Sequence, residues 1–263
     1  MNKNDVTLKD IKTSLTEYKS AQDQDRIITL LFRPISYYLT YLLIRAGISA
    51  NKTSVLSLCV GFVSIVLLPF SSMQARIAAL VCLYIWQLLE YCDGNIARSL
   101  GKSSFAGAVI DDLNPLTIKV LMPIGLGIHA FLSSDRLLFE YPPEINLVIG
   151  FAAGMLYLMA RYYNELCNKI FMAYNADSED RAASAREVSG SSIAKRSKCS
   201  ALYEIYKIAE YLESFGHAGL ILTFLLIALN MHLYLLILLL IIRLITFMTG
   251  LGRFTYIAVK YSA

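Results

Sequence analysis

Apolar runs, each about twenty residues long and nearly free of charge, follow one another from residue 51 to residue 260. A helix needs about 20 such residues to cross the hydrocarbon core of a bilayer. Inside lipid, backbone polar groups are satisfied only by helices or closed barrels. Barrel strands alternate apolar and polar over about ten residues. These runs are continuous, so they read as helices. Charged residues make up 17% of the chain and hydrophobic ones 56%, whereas a soluble domain carries about 25% charged residues. That shortage excludes a water-soluble globular enzyme. It equally excludes a disordered chain, which would be polar and charge-rich.

The expected fold class is all-α: a polytopic membrane protein with six transmembrane helices plus an N-terminal interfacial amphipathic helix. Four spans fall at residues 51–70, 77–98, 105–131 and 145–174. Residues 216–260 hold two more, joined by a tight turn near 230–232. The segment 28–47 is apolar but interrupted by Arg33, Pro34 and Arg45, which suits a helix lying among headgroups. An amphipathic piece is expected near 203–212, after a long polar stretch. The domains are then 1–50, a cytoplasmic N-terminal segment with the interfacial helix, and 51–263, the six-helix transmembrane domain. The N-terminal MNKNDVTLKDIKTSLTEYKS has no apolar core, so no cleavable signal peptide is expected.

The formal charge of +4 is mild and fits basic cytoplasmic loops, not nucleic-acid binding. With the N-terminus in the cytoplasm, that side holds Arg98, Lys102, the basic cluster at 181–198 and Lys260. The other side holds Arg76 and Arg136. The asymmetry predicts both termini in the cytoplasm. The run Lys195-Arg196-Ser-Lys198 reads as part of that anchor, touching anionic headgroups. No CxxC pair occurs among the five cysteines, which read as small buried hydrophobes. His129, His217 and His232 lie near span ends with no metal-site spacing, and read as packing residues.

Charges inside spans are costly and by default mark function. The second span holds Glu90 and Asp93; the third holds Asp111, Asp112 and Lys119. Glu90, Asp93, Gly94, Ala97 and Arg98 stand at i, i+3, i+4, i+7 and i+8, which is one helix face. Gly107, Asp111, Pro115 and Lys119 share a face of the next helix, an antiparallel neighbour across a short loop. The two acidic faces therefore meet near the cytoplasmic surface. Converging carboxylates repel unless a cation sits among them, and oxygen-only ligands suit Mg²⁺ or Mn²⁺. Interhelical ion pairs with Arg98 or Lys119 are the alternative.

The stretch EYCDGNIAR, then eight residues, Gly107, three residues and Asp111, resembles the signature of the CDP-alcohol phosphotransferase family, D-x2-D-G-x2-A-R-x8-G-x3-D-x3-D. Six of its eight fixed positions match. Upstream, RPISYYLTYLLIRAGISANKTSVLSL resembles the family's interfacial helix and its entry into the first span. The resemblance implies a membrane transferase that moves a phosphoryl-alcohol group from a CDP-alcohol, commonly CDP-diacylglycerol, to an acceptor hydroxyl and releases CMP. It implies metal ligation by Glu90, Asp93 and Asp111. It implies a donor site made by Asn51, Thr53, Gly94, Arg98, Ser104 and Gly107. Lys119, Arg161 and Arg243 would meet an acceptor phosphate or headgroup, as basic residues do in some members. Their alternative is local pairing, Arg161 with Glu165 for instance. The partners implied are the donor, membrane lipids and, as an open state, a second copy in a homodimer. The location implied is the inner membrane of a bacterium, with the site facing the cytoplasm.

Two positions depart from the signature. Glu90 stands for its first aspartate and Pro115 for its last, the one taken as catalytic base. Proline accepts no proton. Asp112 is the substitute base expected here, with Glu165 or a water-mediated route as alternatives. A non-catalytic relative that binds nucleotide or lipid, and a transporter or structural protein with a coincidental motif, are the competing readings. Which alcohol the donor carries and which acceptor it meets are not written in these residues.

Overall fold

The computed structural model describes residues 6–14, 27–101, 104–133, 141–184 and 217–261. It is helical throughout these segments. The helices are α1 (Leu8–Thr13), α2 (Ile27–Arg45), α3 (Ala50–Leu67), α4 (Met73–Leu100), α5 (Phe105–Leu132), α6 (Glu144–Ser184), α7 (His217–Ala228) and α8 (His232–Tyr261). Five of them contain a stretch long and apolar enough to cross a membrane: Ala50–Leu67, Met73–Leu100, Phe105–Leu132, Glu144–Ile170 and His232–Gly252. Large apolar side chains such as Val55, Phe62, Ile77, Val148 and Phe151 are exposed on the outer faces. This is an all-α polytopic membrane protein.

The sixth expected span falls on α7, whose described part is 12 residues long, and the residues just before it lie outside the described ones. The expected amphipathic piece at 203–212, and all of the basic cluster at 181–198 beyond Ser184, lie outside the described residues. Helix α6 runs further than expected, to Ser184.

Helix ends follow from local chemistry. Ser49, Ser72 and Ser104 cap α3, α4 and α5, each accepting a backbone N–H of the first turn. Gly101 ends α4 at φ 60°, a left-handed conformation that glycine adopts without Cβ strain. Helix α4 thus stops just beyond Arg98, and α5 begins at Phe105. Consecutive spans run antiparallel. The Ser64 hydroxyl donates to the Ala79 carbonyl at 2.9 Å near one end of the α3–α4 pair, and Ser54 reaches Asp93 near the other.

The core is built from α3, α4, α5, α7 and α8 around Leu83, Trp86, Ile118, Met122, Leu126 and Leu236. One closed polar ring crosses it. The Trp86 indole donates to Asn114 Oδ1 at 2.9 Å, the Asn114 amide donates to Ser57 Oγ at 2.9 Å, and Ser57 donates to the Trp86 carbonyl at 3.1 Å. Every buried polar group in it has a partner, which fixes the register of α3, α4 and α5.

The polar N-terminus contributes more than a solvated tail. Thr7 and Asp10 form a reciprocal capping box at the start of α1. Hydrogen bonds from Thr7 hold the Asp10 carboxyl below its usual range. Val6 and Ile11 flank the box, both fully buried, and pack against Leu43, Ile44, Leu89, Cys92 and Ile96. Helix α1 is thereby docked on α2 and α4, behind the face that carries Asp93.

Candidate active site

An open cavity of about 200 Å³ lies where the first turns of α3 and α5 meet the last turns of α4. Its α4 wall is Asp93, Gly94, Ala97 and Arg98; its α5 wall is Gly107, Ala108 and Asp111. Ala50, Asn51 and Ser54 close it from α3, and Ser104 stands at the entrance to α5. Two helix N-termini therefore face one space, and their unpaired N–H groups favour an anion there.

Asp93 is 3% exposed. Its Oδ2 accepts from the Ser54 hydroxyl at 2.7 Å. Its Oδ1 is buried with no hydrogen-bond partner among the described residues, and Glu90 Oε2, one turn deeper, is in the same state. Glu90 lies within electrostatic reach of Asp93, Asp111 and Lys119, and Asp93 within reach of Asp111 and Arg98. Buried carboxylate oxygens left unpaired beside other acids are costly. Among the described residues no group of three acidic, histidine or cysteine side chains forms a ready-made metal cluster.

The rim is held by short polar contacts. The Asn51 amide donates to Ser104 Oγ at 3.1 Å, and Ser104 Oγ accepts the Gly107 N–H at 3.0 Å. A Cβ on Gly107 would lie 2.7 Å from Asn51 Oδ1. Glycine there lets the two rims close. A Cβ on Gly94 would meet the Arg98 guanidinium at 3.1 Å, so that glycine leaves the arginine its place along the helix face.

Of the residues expected from the sequence, Asn51, Asp93, Gly94, Arg98, Ser104, Gly107 and Asp111 come together around this cavity. Glu90 sits below it. Thr53 does not line it: its hydroxyl turns back to the Ser49 carbonyl at 3.1 Å, and Ser54, about 100° around the helix, takes the place beside Asp93. Asp112 also lies off the cavity wall. It is exposed and pairs with Arg161 across to α6 at 3.2 Å. Glu165 pairs instead with Lys169 at 3.6 Å.

Arg243 lies in the packed core of α5, α6 and α8. It is 2% exposed, donates to the Ala153 carbonyl at 3.0 Å and to the Lys119 carbonyl, and stacks on Tyr157 at 5.1 Å. The reason is in α5. Pro123 has no N–H to give the Lys119 carbonyl one turn earlier, and Arg243 supplies the missing donor. Arg243→Met is expected to lower stability by about 1–3 kcal/mol, the cost of orphaning buried acceptors. Adding Pro123→Ala restores an N–H to that carbonyl and should recover part of the loss. A double-mutant cycle in unfolding midpoints measures the coupling; strict additivity would refute it.

Two polar residues close to the site drew no attention in the sequence: Ser54 and Asn95. Ser54 was detectable one turn from Ala50, on the same α3 face. Asn95 occupies an unspecified position of the signature, yet it is fully buried and bonded on every side.

Residues 48–166 match the family model of the CDP-alcohol phosphatidyltransferases. The match begins just before α3 and ends in α6, so it contains every residue that lines the cavity. That segment, somewhat under half of the chain, is similar to the CDP-alcohol phosphatidyltransferases, transferases that act on CDP-alcohols in lipid synthesis. No curated protein matches the chain.

Proposed function

We propose that the protein moves a phosphoryl-alcohol group, such as a phosphatidyl group, from a CDP-alcohol to an acceptor hydroxyl and releases CMP, in phospholipid or related glycolipid synthesis. The observation that carries this reading is the convergence of Asp93, Gly94, Arg98, Gly107 and Asp111 on one open cavity. In the transfer, the acceptor oxygen forms a bond to the donor's phosphorus, the bond from that phosphorus to the CMP oxygen breaks, and the hydroxyl proton passes to a base. Arg98 and the two helix N-termini are suited to the diphosphate's charge. The site faces the cytoplasm, where the expected basic loops lie.

The donor atoms suit Mg²⁺ or Mn²⁺: they are oxygens only, and two of them are buried without a partner among the described residues. Glu90, Asp93 and Asp111 would hold the ion. When bound, it neutralises charge on the diphosphate. Lys119 and Arg161, the latter paired with Asp112, would meet an acceptor phosphate. Arg243 serves the helix packing described above.

Purified protein incubated with labelled CDP-alcohols, Mn²⁺ and lipid extract should release CMP. No release with any donor would refute the transferase reading. A second reading, a relative that binds the nucleotide without turnover, rests on Pro115, which puts an imino acid where the family signature has a carboxylate. The base is tested directly. With Asp112 as base, Asp112→Asn lowers CMP release about 10²- to 10⁴-fold and leaves donor affinity unchanged. Pro115→Asp in that background then restores turnover. An undiminished rate in Asp112→Asn would leave Asp112 only as the partner of Arg161.

A further inference from the structure

Asn95 sits at the crossing of α2 and α4 and is fully buried. Its Oδ1 accepts from Arg98 Nη2 at 2.8 Å and from Arg33 Nη1 at 3.3 Å. Its Nδ2 donates to Ser36 Oγ at 3.3 Å and to Thr40 Oγ1 at 3.4 Å. An amide has two acceptor and two donor sites, and here all four are used. The amide's orientation follows from this: turned over, it would aim its N–H groups at two guanidiniums. Aspartate could not donate to α2, and an apolar residue could do neither.

Arg98 is the cation on the cavity wall, whereas Arg33 belongs to α2 and lies over the Tyr91 ring at 4.9 Å. Two guanidiniums sharing one oxygen repel each other unless the acceptor holds them and an anion lies near. Arg98 is therefore not a freely swinging side chain. Its reach toward the cavity is set from behind, by a residue whose other bonds run to α2. Ser36 and Thr40 are themselves fully buried, so this tie is not exchanged for water.

We propose that Asn95 is a positioning residue for the donor site: it presets Arg98 for a nucleotide diphosphate and couples that arginine to helix α2. The inference rests on the CDP-alcohol reading above. It adds that donor affinity depends on a buried contact outside the cavity.

The test is titration of the detergent-solubilised full-length protein with CMP and with CDP-diacylglycerol, alongside steady-state kinetics. Asn95→Ala is expected to weaken binding about tenfold, the range for a lost hydrogen bond to a charged group. The donor KM rises accordingly, while kcat and the acceptor KM stay within twofold. A merely structural role would shift all three together. If Asn95→Ala does not fold, Ser36→Ala with Thr40→Val cuts the α2 side of the tie alone; about threefold weaker donor binding is expected. Wild-type protein that binds no cytidine nucleotide overturns the transferase reading and this inference with it. Wild-type binding that is matched by both variants overturns the inference alone.

Discussion

Asp93→Asn should abolish CMP release, by about 10³-fold or more, and leave the fold intact or slightly more stable. The two effects have opposite signs for one reason. Asp93 is a nearly buried carboxylate with one oxygen bonded to Ser54 and the other without a partner among the described residues. It stands within reach of two further acids. Such a charge weakens the resting protein, because burial and like-charge repulsion both act against it. Asparagine keeps an oxygen for Ser54 and removes the charge, so the unfolding midpoint should hold or rise. The charge is retained for what enters the cavity. Removing one group aimed at charge that develops during transfer costs about 10²- to 10³-fold, and loss of a cation's ligand adds to that. The measurement pairs CMP release with thermal unfolding in detergent. A variant that loses activity and stability together would make Asp93 a structural residue and remove it from the site.

Much of the site was legible because helical periodicity is rigid. Once α4 and α5 were recognised as helices, the spacing of Glu90, Asp93 and Arg98, and of Gly107 and Asp111, fixed which side chains share a face. The short connection at Gly101 then set the two faces against each other. What escaped is what depends on a third element. Thr53 and Ser54 differ by one position, and only the packing of α3 on α4 decides that Ser54 meets Asp93. Arg243 looked like a phosphate ligand because its need lies 120 residues earlier, in the N–H that Pro123 lacks. Asn95 sits at an unspecified place in the motif, and its value appears only when α2 is laid against α4. The burial of Val6 and Ile11 was hidden by the polar residues between them.

Gly150→Leu should disrupt the bundle more than any substitution on the cavity wall. Lipid offers helices no hydrophobic drive to associate, so close packing at small residues does that work. Helix α6 carries Gly150 and Gly154 four residues apart, and both face α5. A Cβ on Gly150 would stand 2.5 Å from the Pro123 carbonyl oxygen and 3.2 Å from Gly127 Cα; one on Gly154 would stand 2.8 Å from the Val120 carbonyl oxygen. These obstacles are backbone, so no side-chain rotation relieves them and the helices must separate. Separation would also break the bonds that cross this seam, from Arg243 to the Ala153 and Lys119 carbonyls. Gly150→Ala should then cost about 1–3 kcal/mol, the usual range for overpacking, and Gly150→Leu more, with little folded protein recovered. Gly252 is the internal control. Nothing lies within 4 Å of a Cβ built there, so Gly252→Ala should melt with the wild type. Unfolding midpoints in detergent decide it. A Gly150→Leu variant as stable as Gly252→Ala would mean that α5 and α6 do not meet at their backbones.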